Sequence, residues 1–325
     1  MERILPSIQN ELAVAEAAIQ DLLKEGEAPV RTLLDYLSEQ KGGLLRPKIV
    51  LLAAGMCGGV TEESHRAACI VEVLHQASLI HDDVVDNASE RRSKASVNAV
   101  WDNKTAVLLG DNMLSRVLML ISGSAIPGLL DEVARTVRRL TEGEICQLAQ
   151  RGNLALEEEA YDRIAYLKTA SLIESAFRLG ALSASASVET VEAMGAFGKR
   201  FGTAFQWKDD LKDYAAADGK GRYNDLREGE VTFPIIAAMR SLCLSERAVF
   251  RQGFLQPGKD ETAIRRLADT VRQSEGWRQA LGRLRAEGAA LERTCLEFPP
   301  SPYRDDLLHI TKEVCSTERF EPKEG

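Results

Sequence analysis

Apolar residues recur every three or four positions along most of the chain, which is the spacing of one face of an α-helix. Glycine and proline interrupt this pattern at several points, among them Gly26, Pro47 and Pro127. No segment alternates between apolar and polar residues as a half-buried strand does. The pattern therefore predicts an all-α chain. The predicted helices cover 4–23, 33–37, 47–55, a segment ending near 86, 101–121, 129–151, 157–179, 188–214 and several segments between 231 and 315, with loops at 89–98 and 218–230.

Two of these helical segments carry a pair of aspartates spaced one turn apart. The stretch 79–92 reads LIHDDVVDNASERR and places Asp82 and Asp86 on one helix face, and the stretch 205–213 reads FQWKDDLKD and does the same with Asp209 and Asp213. Each DDxxD stretch contains three aspartates. Six such carboxylates that converged on one cavity would repel one another strongly unless cations lay between them. Hard oxygen ligands favour magnesium, which takes its remaining ligands from water and from substrate phosphate. The two stretches together predict a magnesium site for a phosphate-bearing substrate.

Either DDxxD stretch alone is more typical of a solvated helix surface, because charged side chains are mostly exposed. The same holds for a single lysine, and a histidine such as His75 on an apolar helix face is more often a core residue than a ligand. Both stretches lie in apolar flanks, and Arg91 and Arg92 follow the first. This combination favours a functional site.

In these stretches the chain resembles the trans-polyprenyl diphosphate synthases of the long-chain type, enzymes that elongate isoprenoid chains. DDxxD followed after four residues by RR looks like the first aspartate-rich motif of that family, and FQWKDDLKD looks like the second. The segment 42–47 and the tail SPYRDDLLHI at 301–310 extend the resemblance over nearly the whole chain. The resemblance implies the isoprenoid synthase fold, which is a large helix bundle around a central cavity and would form a single domain over 1–325. It also implies a homodimer.

The resemblance further implies a reaction. An allylic diphosphate ionises as its pyrophosphate leaves, and the double bond of isopentenyl diphosphate attacks the carbocation before a proton is lost. The implied metal ligands are Asp82, Asp86, Asp209 and Asp213, which would hold three magnesium ions. The residues implied to bind substrate or stabilise the carbocation are Arg46, His75 and Arg92 for isopentenyl diphosphate, Arg91 for the allylic diphosphate, Lys168, Thr169 and Gln206 near the reacting carbon, and Lys220 over the leaving group.

Two small residues precede the first motif and bear on product length. On a helix that rises about 1.5 Å per residue, Ser78 and Ala77 lie about 6 and 7.5 Å deeper than Asp82, in the direction of a growing hydrocarbon tail. Short-chain members of the family place an aromatic residue there. A tail could here pass toward Leu74, so a medium- or long-chain product is expected, unless the small residues serve helix packing and another bulky group blocks the path.

Three positions that are basic in the family pattern are not basic in this chain. They are Gly43 and Leu44 in the segment that resembles GGKRLRP, and Glu230 in the segment that resembles EGKxTLP. Losing one charge-assisted phosphate contact typically costs about 1.5–3 kcal/mol. These changes keep open a class I terpene cyclase, a non-catalytic partner subunit of a heteromeric synthase and a magnesium-dependent phosphohydrolase. The retained Arg46, His75 and Arg92 favour the elongating synthase.

Composition excludes some other partners and compartments. With 41 Lys and Arg against 49 Asp and Glu, the net charge of −8 argues against a nucleic-acid-binding surface. Six cysteines form no metal-ligand spacing, which favours a reducing compartment with free thiols. The N-terminus lacks an apolar signal core and no apolar run is long enough to span a bilayer. The protein is therefore expected to be cytoplasmic, without a transmembrane segment.

Overall fold

The computed structural model of the protein describes residues 5–40, 42–92, 94–214 and 223–320. The all-α prediction is confirmed for this part of the chain. The helices are α1 Gln9–Leu22, α2 Ala28–Ser38, α3 Leu45–Met56, α4 Glu62–Val85, α5 Val97–Val100, α6 Asn103–Ser122, α7 Leu129–Gln150, α8 Glu158–Ala165, α9 Ser171–Ser183, α10 Val188–Asp213, α11 Asn224–Glu228, α12 Phe233–Ser241, α13 Leu244–Leu255, α14 Glu261–Gln273, α15 Glu275–Glu297 and α16 Pro302–Cys315. A 3-10 turn, Pro6–Ile8, precedes α1, and a π-helical turn, Tyr166–Ala170, separates α8 from α9.

Three local predictions differ from the structure. The predicted loop 89–98 contains two antiparallel strands, β1 Glu90–Arg91 and β2 Lys94–Ala95, which are too short to show an alternating pattern. The helix predicted over 157–179 is interrupted by the π-helical turn, because periodicity alone does not reveal one extra residue in a turn. The predicted loop 218–230 includes the short helix α11 in its described part.

The residues divide into two compact units. The first comprises residues 1–136, 172–198 and 298–307, and the second comprises residues 137–171, 199–297 and 308–325. In the first unit α3 packs against α1 and α4, and its residues 49–54 are fully buried. In the second unit α12 packs against α8, α14 and α15. The organisation of 1–325 as a single domain stays a prediction.

Helix α4 carries the first aspartate stretch in its last turn. It begins with a capping box, in which the Ser64 N–H donates to Thr61 Oγ1 at 3.2 Å and the Thr61 N–H donates to Ser64 Oγ at 3.1 Å. The helix ends at Val85 and is capped by Asp86, whose N–H donates to the Asp82 carbonyl at 2.8 Å, and Asn87 follows in the left-handed region with a φ of 50°. The cap and the left-handed residue therefore fix both ends of the helix that presents Asp82 and Asp86.

Helix α6 has the length and apolar composition that could span a membrane, and 33% of its most apolar window is buried. Its exposed apolar residues lie on one stripe, which comprises Val107, Leu108, Leu118 and Met119. Leu109, Met113 and Val117 on the other side are buried. One helix of this kind is weak evidence for a membrane span, and the one-sided stripe is typical of an amphipathic helix that packs on one face.

Gly180 allows α9 to approach α3 closely within the first unit. A Cβ atom at this position would lie 2.4 Å from the Val50 carbonyl oxygen and 2.7 Å from the Ala53 Cβ. Both distances are far below van der Waals contact, so any side chain at residue 180 requires the two helices to separate.

We expect Gly180→Ala to lower the free energy of unfolding by about 1–3 kcal/mol, as overpacking of a core typically does. Urea denaturation followed by circular dichroism measures this change. Gly282→Ala is the matched control, because a Cβ there meets nothing within 4 Å and alanine is the better helix former by about 0.5–1 kcal/mol. Equal unfolding curves for the Gly180 variant and the wild type would contradict the packing argument.

Candidate active site

The first aspartate stretch presents its outer carboxylates and buries its middle one. Asp82 and Asp86 are half-buried at the end of α4. Asp83 is 5% exposed and accepts a hydrogen bond from Arg91 Nε at 2.9 Å. Burial raises the pKa of Asp83, while the hydrogen bond and the charge of Arg91 oppose that rise. Asp83 therefore orients Arg91 on β1 and does not extend the Asp82 and Asp86 pair.

Four of the predicted substrate-binding residues lie close together in the first unit. Burial first, and then the positive charges of Arg46, Arg92 and Arg91, hold the pKa of His75 well below its usual value. The imidazole is therefore neutral at pH 7 and can donate or accept a hydrogen bond without adding charge. We call Arg46, His75, Arg91 and Arg92 the basic cluster.

Arg92 is held against the backbone that precedes α3. Its Nη1 donates to the Gln40 carbonyl at 2.7 Å, and a Cβ at Gly42 would lie 2.6 Å from its Nη2. Arg92 itself adopts a left-handed conformation with a φ of 52°, which is uncommon for a residue with a side chain. Gly42, which carries part of the resemblance at 42–47, thus makes room for a guanidinium of the basic cluster.

The second aspartate stretch follows the same arrangement at the end of α10. Asp209 is exposed, and Asp213 is half-buried. The Asp213 carboxylate accepts from the backbone N–H groups of Asn224 at 3.1 Å and Asp225 at 3.3 Å, at the start of α11. Burial raises the pKa of Asp213, and these two backbone hydrogen bonds lower it. The start of α11 therefore helps to fix the orientation of Asp213.

The middle aspartate of this stretch, Asp210, is 5% exposed and accepts from three donors. They are the Tyr161 hydroxyl, Gln206 Nε2 at 2.7 Å and the Phe233 N–H at 3.2 Å. Burial raises the pKa of Asp210 to about 7, although all three hydrogen bonds act against that rise. Asp83 and Asp210, which are not among the four predicted metal ligands, are thus both buried among hydrogen-bond donors of their own.

Gln206 is fixed at both ends of its amide. Its Nε2 donates to Asp210, and its Oε1 accepts from the Thr169 hydroxyl at 2.5 Å. The sequence predicted Thr169 and Gln206 as site residues, and the structure brings these two together. The sequence gave no signal for Tyr161, which lies seven residues before Lys168 and holds Asp210 in place.

Lys168 lies in the π-helical turn of the second unit. Its Nζ is 3.0 Å from Glu144 Oε2, so the ammonium has a carboxylate neighbour that sequence reasoning missed. A Cβ at Gly143 would lie 2.5 Å from the Lys168 backbone nitrogen, which shows how closely α7 approaches this turn. Single π-helical turns are frequent at functional sites.

The remaining predicted residues are placed as follows. Leu74 and Ala77 are buried in α4, and Ser78 is half-buried with its hydroxyl donating to the His75 carbonyl at 2.9 Å. Lys220 lies outside the described residues. Glu230, at a position that is basic in the family pattern, is buried and bound by Arg151.

Within residues 5–40, 42–92, 94–214 and 223–320, no three His, Cys, Asp or Glu side chains come together as a ready-made metal centre. Each motif supplies two carboxylates one helical turn apart. Magnesium usually keeps several waters and binds through one or two carboxylates together with substrate phosphates. The oxygen donors of both motifs therefore fit magnesium that binds together with a diphosphate.

Comparison with known proteins gives a consistent set of relatives. The profile of the family described as polyprenyl synthetase matches residues 27–271. Octaprenyl diphosphate synthase from Haemophilus influenzae is 34% identical over 278 residues, which cover 85% of this chain and 84% of the relative.

Two solved structures have the same fold. The decaprenyl diphosphate synthase from Rhodobacter capsulatus superposes with a TM-score of 0.90, at 28% identity and covering 97% of this chain and 98% of that one. The polyprenyl synthase from Caulobacter crescentus, solved with calcium and isoprenyl diphosphate, also gives 0.90 at 28% identity, covering 97% of each chain.

Proposed function

Because the chain belongs to the polyprenyl synthetase family, we propose that it condenses isopentenyl diphosphate with an allylic diphosphate. It is a prenyltransferase of isoprenoid biosynthesis that makes a medium- or long-chain polyprenyl diphosphate. The observation that carries the proposed reaction is the basic cluster beside the first aspartate motif, because a second diphosphate needs cationic ligands of its own.

Asp82, Asp86, Asp209 and Asp213 would hold three magnesium ions. The Caulobacter relative was solved with calcium and isoprenyl diphosphate, and this supports a divalent ion at the diphosphate of the present chain. Bound magnesium would neutralise charge on the departing pyrophosphate. The carboxylates act as hard oxygen ligands, and the middle aspartates keep the two helix ends in place through their buried hydrogen bonds.

The basic cluster would recognise the substrates by hydrogen bonding and charge. Arg46 and Arg92 would bind isopentenyl diphosphate through planar guanidinium groups, and neutral His75 would add a hydrogen bond. Arg91, oriented by Asp83, would bind the allylic diphosphate, and Lys168 and Lys220 would add further cations. The Gln206 amide, fixed by Thr169 and Asp210, would direct its dipole toward the reacting carbon.

A class I terpene cyclase is the second candidate, because it uses the same allylic substrate and metals. It needs no isopentenyl diphosphate, so Arg46, His75 and Arg92 of the basic cluster would have no ligand to bind. Purified protein incubated with radiolabelled isopentenyl diphosphate, an allylic primer and magnesium distinguishes the two. Label in a longer diphosphate supports the synthase, an unlabelled hydrocarbon product supports the cyclase, and no product from either substrate supports a partner subunit.

We expect Asp82→Ala and Asp209→Ala each to lower turnover by at least about 10²-fold, because each removes a metal ligand near the departing pyrophosphate. Alanine is the better helix former, so the unfolding temperature is expected to stay equal or to rise. Steady-state kinetics with calorimetry tests both statements. Asp269→Ala, at an exposed aspartate of α14, is the control and retains activity. Near-normal turnover in either site variant contradicts the metal assignment.

We expect Ala77→Tyr to shorten the main product to the short-chain range while short primers are still elongated, because a phenol ring would block the path beyond Asp82. Ala77 is fully buried, so overpacking is also expected to lower the yield of folded protein. Thin-layer chromatography of the dephosphorylated products measures chain length, with Ala77→Ser as the size-matched control. An unchanged product distribution, or a wild type that stops at farnesyl diphosphate, refutes the channel.

The apolar stripe of α6 would form a homodimer contact. Leu108 and Met119 are each 68% exposed on this stripe, and burial against a second copy would remove them from water. Leu108→Glu is expected to shift the protein to a monomer in light scattering after gel filtration. Leu244→Glu on α13, at a leucine that is 84% exposed, is the control and keeps the wild-type mass. A monomeric wild type contradicts the proposal.

A further inference from the structure

Glu230 is a buried acid at a position where the family pattern has a lysine. It is 5% exposed and accepts three hydrogen bonds from the end of α7 and the residue after it. Gln147 Nε2 donates to Glu230 Oε2 at 2.8 Å, and Arg151 donates to Oε1 through Nε at 2.8 Å and through Nη2 at 2.7 Å. We call Gln147, Arg151 and Glu230 the Glu230 cluster. A carboxylate held in this way is directed at Arg151 and not at an incoming diphosphate.

The backbone joins the same two segments. The Gly152 N–H donates to the Gly229 carbonyl at 2.8 Å, and Gly229 ends α11 in the left-handed region with a φ of 74°. The polypeptide therefore leaves α11 through a turn that is bound to the end of α7 by both side chains and main chain.

The contacts continue from Glu230 to the second aspartate motif. The Glu230 N–H donates to the Asp225 carbonyl at 2.8 Å, and the Thr232 hydroxyl donates to Asp225 Oδ2 at 2.9 Å. Asp225 and Asn224 in turn donate their backbone N–H groups to the Asp213 carboxylate. An unbroken series of hydrogen bonds and main chain thus leads from Arg151 to Asp213.

Helix α11 has five residues and is too short to be stable by itself, because an isolated helix needs about 12–15 residues. Its position therefore depends on tertiary contacts. The buried side chain of Leu226 and the ion pair of Arg227 with Glu261 on α14 hold its middle, Asp213 lies at its first end and the Glu230 cluster at its second. Loss of the cluster would remove the support of the second end, and the two N–H donors of Asp213 would be held less firmly.

We propose that Glu230 and Arg151 are a positioning pair that fixes α11 and through it the carboxylate of Asp213. This inference rests on the proposed function, in which Asp213 is a metal ligand. It assigns Glu230 a role opposite to that of a diphosphate-binding lysine. The charge change from lysine to glutamate has its counterpart in Arg151, which supplies the positive charge of the pair.

Glu230→Lys tests the two roles against each other. A lysine that faced diphosphate would improve substrate binding, whereas a lysine at the buried position 230 places a second cation beside Arg151, whose side chain is 37% exposed. We expect the magnesium concentration for half-maximal activity to rise about 10- to 100-fold, as is typical when a residue that orients a metal ligand is lost. The Michaelis constant for isopentenyl diphosphate should change less.

A second measurement does not depend on turnover. The unfolding temperature of each protein is measured without magnesium and then with magnesium and inorganic pyrophosphate. The increment is the rise in unfolding temperature that these two ligands cause in the same protein. We expect a smaller increment for Glu230→Lys and for Arg151→Glu than for the wild type. The double variant, in which the charges are exchanged, should recover part of the increment. Glu230→Gln keeps the size of the side chain but removes its charge. Its increment in unfolding temperature should lie between those of the wild type and Glu230→Lys.

Glu287→Lys is the matched control, because it reverses one charge of another ion pair in the second unit, where Arg200 Nε lies 2.7 Å from Glu287 Oε1. It should leave the magnesium dependence unchanged. A Glu230→Lys enzyme with wild-type or better magnesium dependence, or a double variant no better than the worse single variant, overturns the positioning role. A wild type without prenyltransferase activity overturns the proposed function instead, so the two failures are distinguishable.

Discussion

Both aspartate motifs depend on an unfavourable electrostatic arrangement, because each places carboxylates in the last turn of a helix. Backbone carbonyl groups make a helix C-terminus electronegative, and an anion there typically destabilises the helix by about 0.3–1 kcal/mol. Asp82 and Asp86 at the end of α4 also repel each other across one turn, as do Asp209 and Asp213 at the end of α10. The two helix ends would therefore fray without further support. That support comes from the middle aspartates, whose buried carboxylates accept hydrogen bonds from Arg91 in one motif and from Tyr161 in the other.

In the proposed function, the basic cluster is the part of an acidic protein that attracts anionic substrates. The net charge of the chain is −8, so the attraction for diphosphate has to be local. Three arginines lie near one histidine, and their charges together with burial keep that histidine neutral. A neutral imidazole limits the repulsion within the cluster when no anion is bound. Folding lowers the pKa of His75 below the usual histidine value of about 6.5. As the pH falls below that value, proton binding therefore destabilises this arrangement and favours states in which His75 is exposed.

Local patterns in the sequence were sufficient to predict the helices and both aspartate motifs, because each depends on residues within a few turns of one another. The contacts that orient the site were not predictable in this way. Tyr161 and Asp210 are 49 residues apart in sequence, and Arg151 and Glu230 are 79 residues apart. The contact of Glu230 was hidden for the same reason, since its position in a family pattern does not reveal the arginine that faces it. The strands β1 and β2 have two residues each and leave no periodic signal.

The number of residues in the π-helical turn Tyr166–Ala170 determines how α8 is rotated about its axis relative to the residues that follow it. Each residue advances an α-helix by about 100° around its axis. Removal of one residue from the turn would rotate every side chain of α8 by about that angle relative to Lys168 and Thr169. Tyr161 would then turn away from Asp210, while the hydrophobic pattern of the helix would look almost unchanged. Insertions and deletions in this short segment should therefore be far rarer among functional relatives than substitutions at its individual positions.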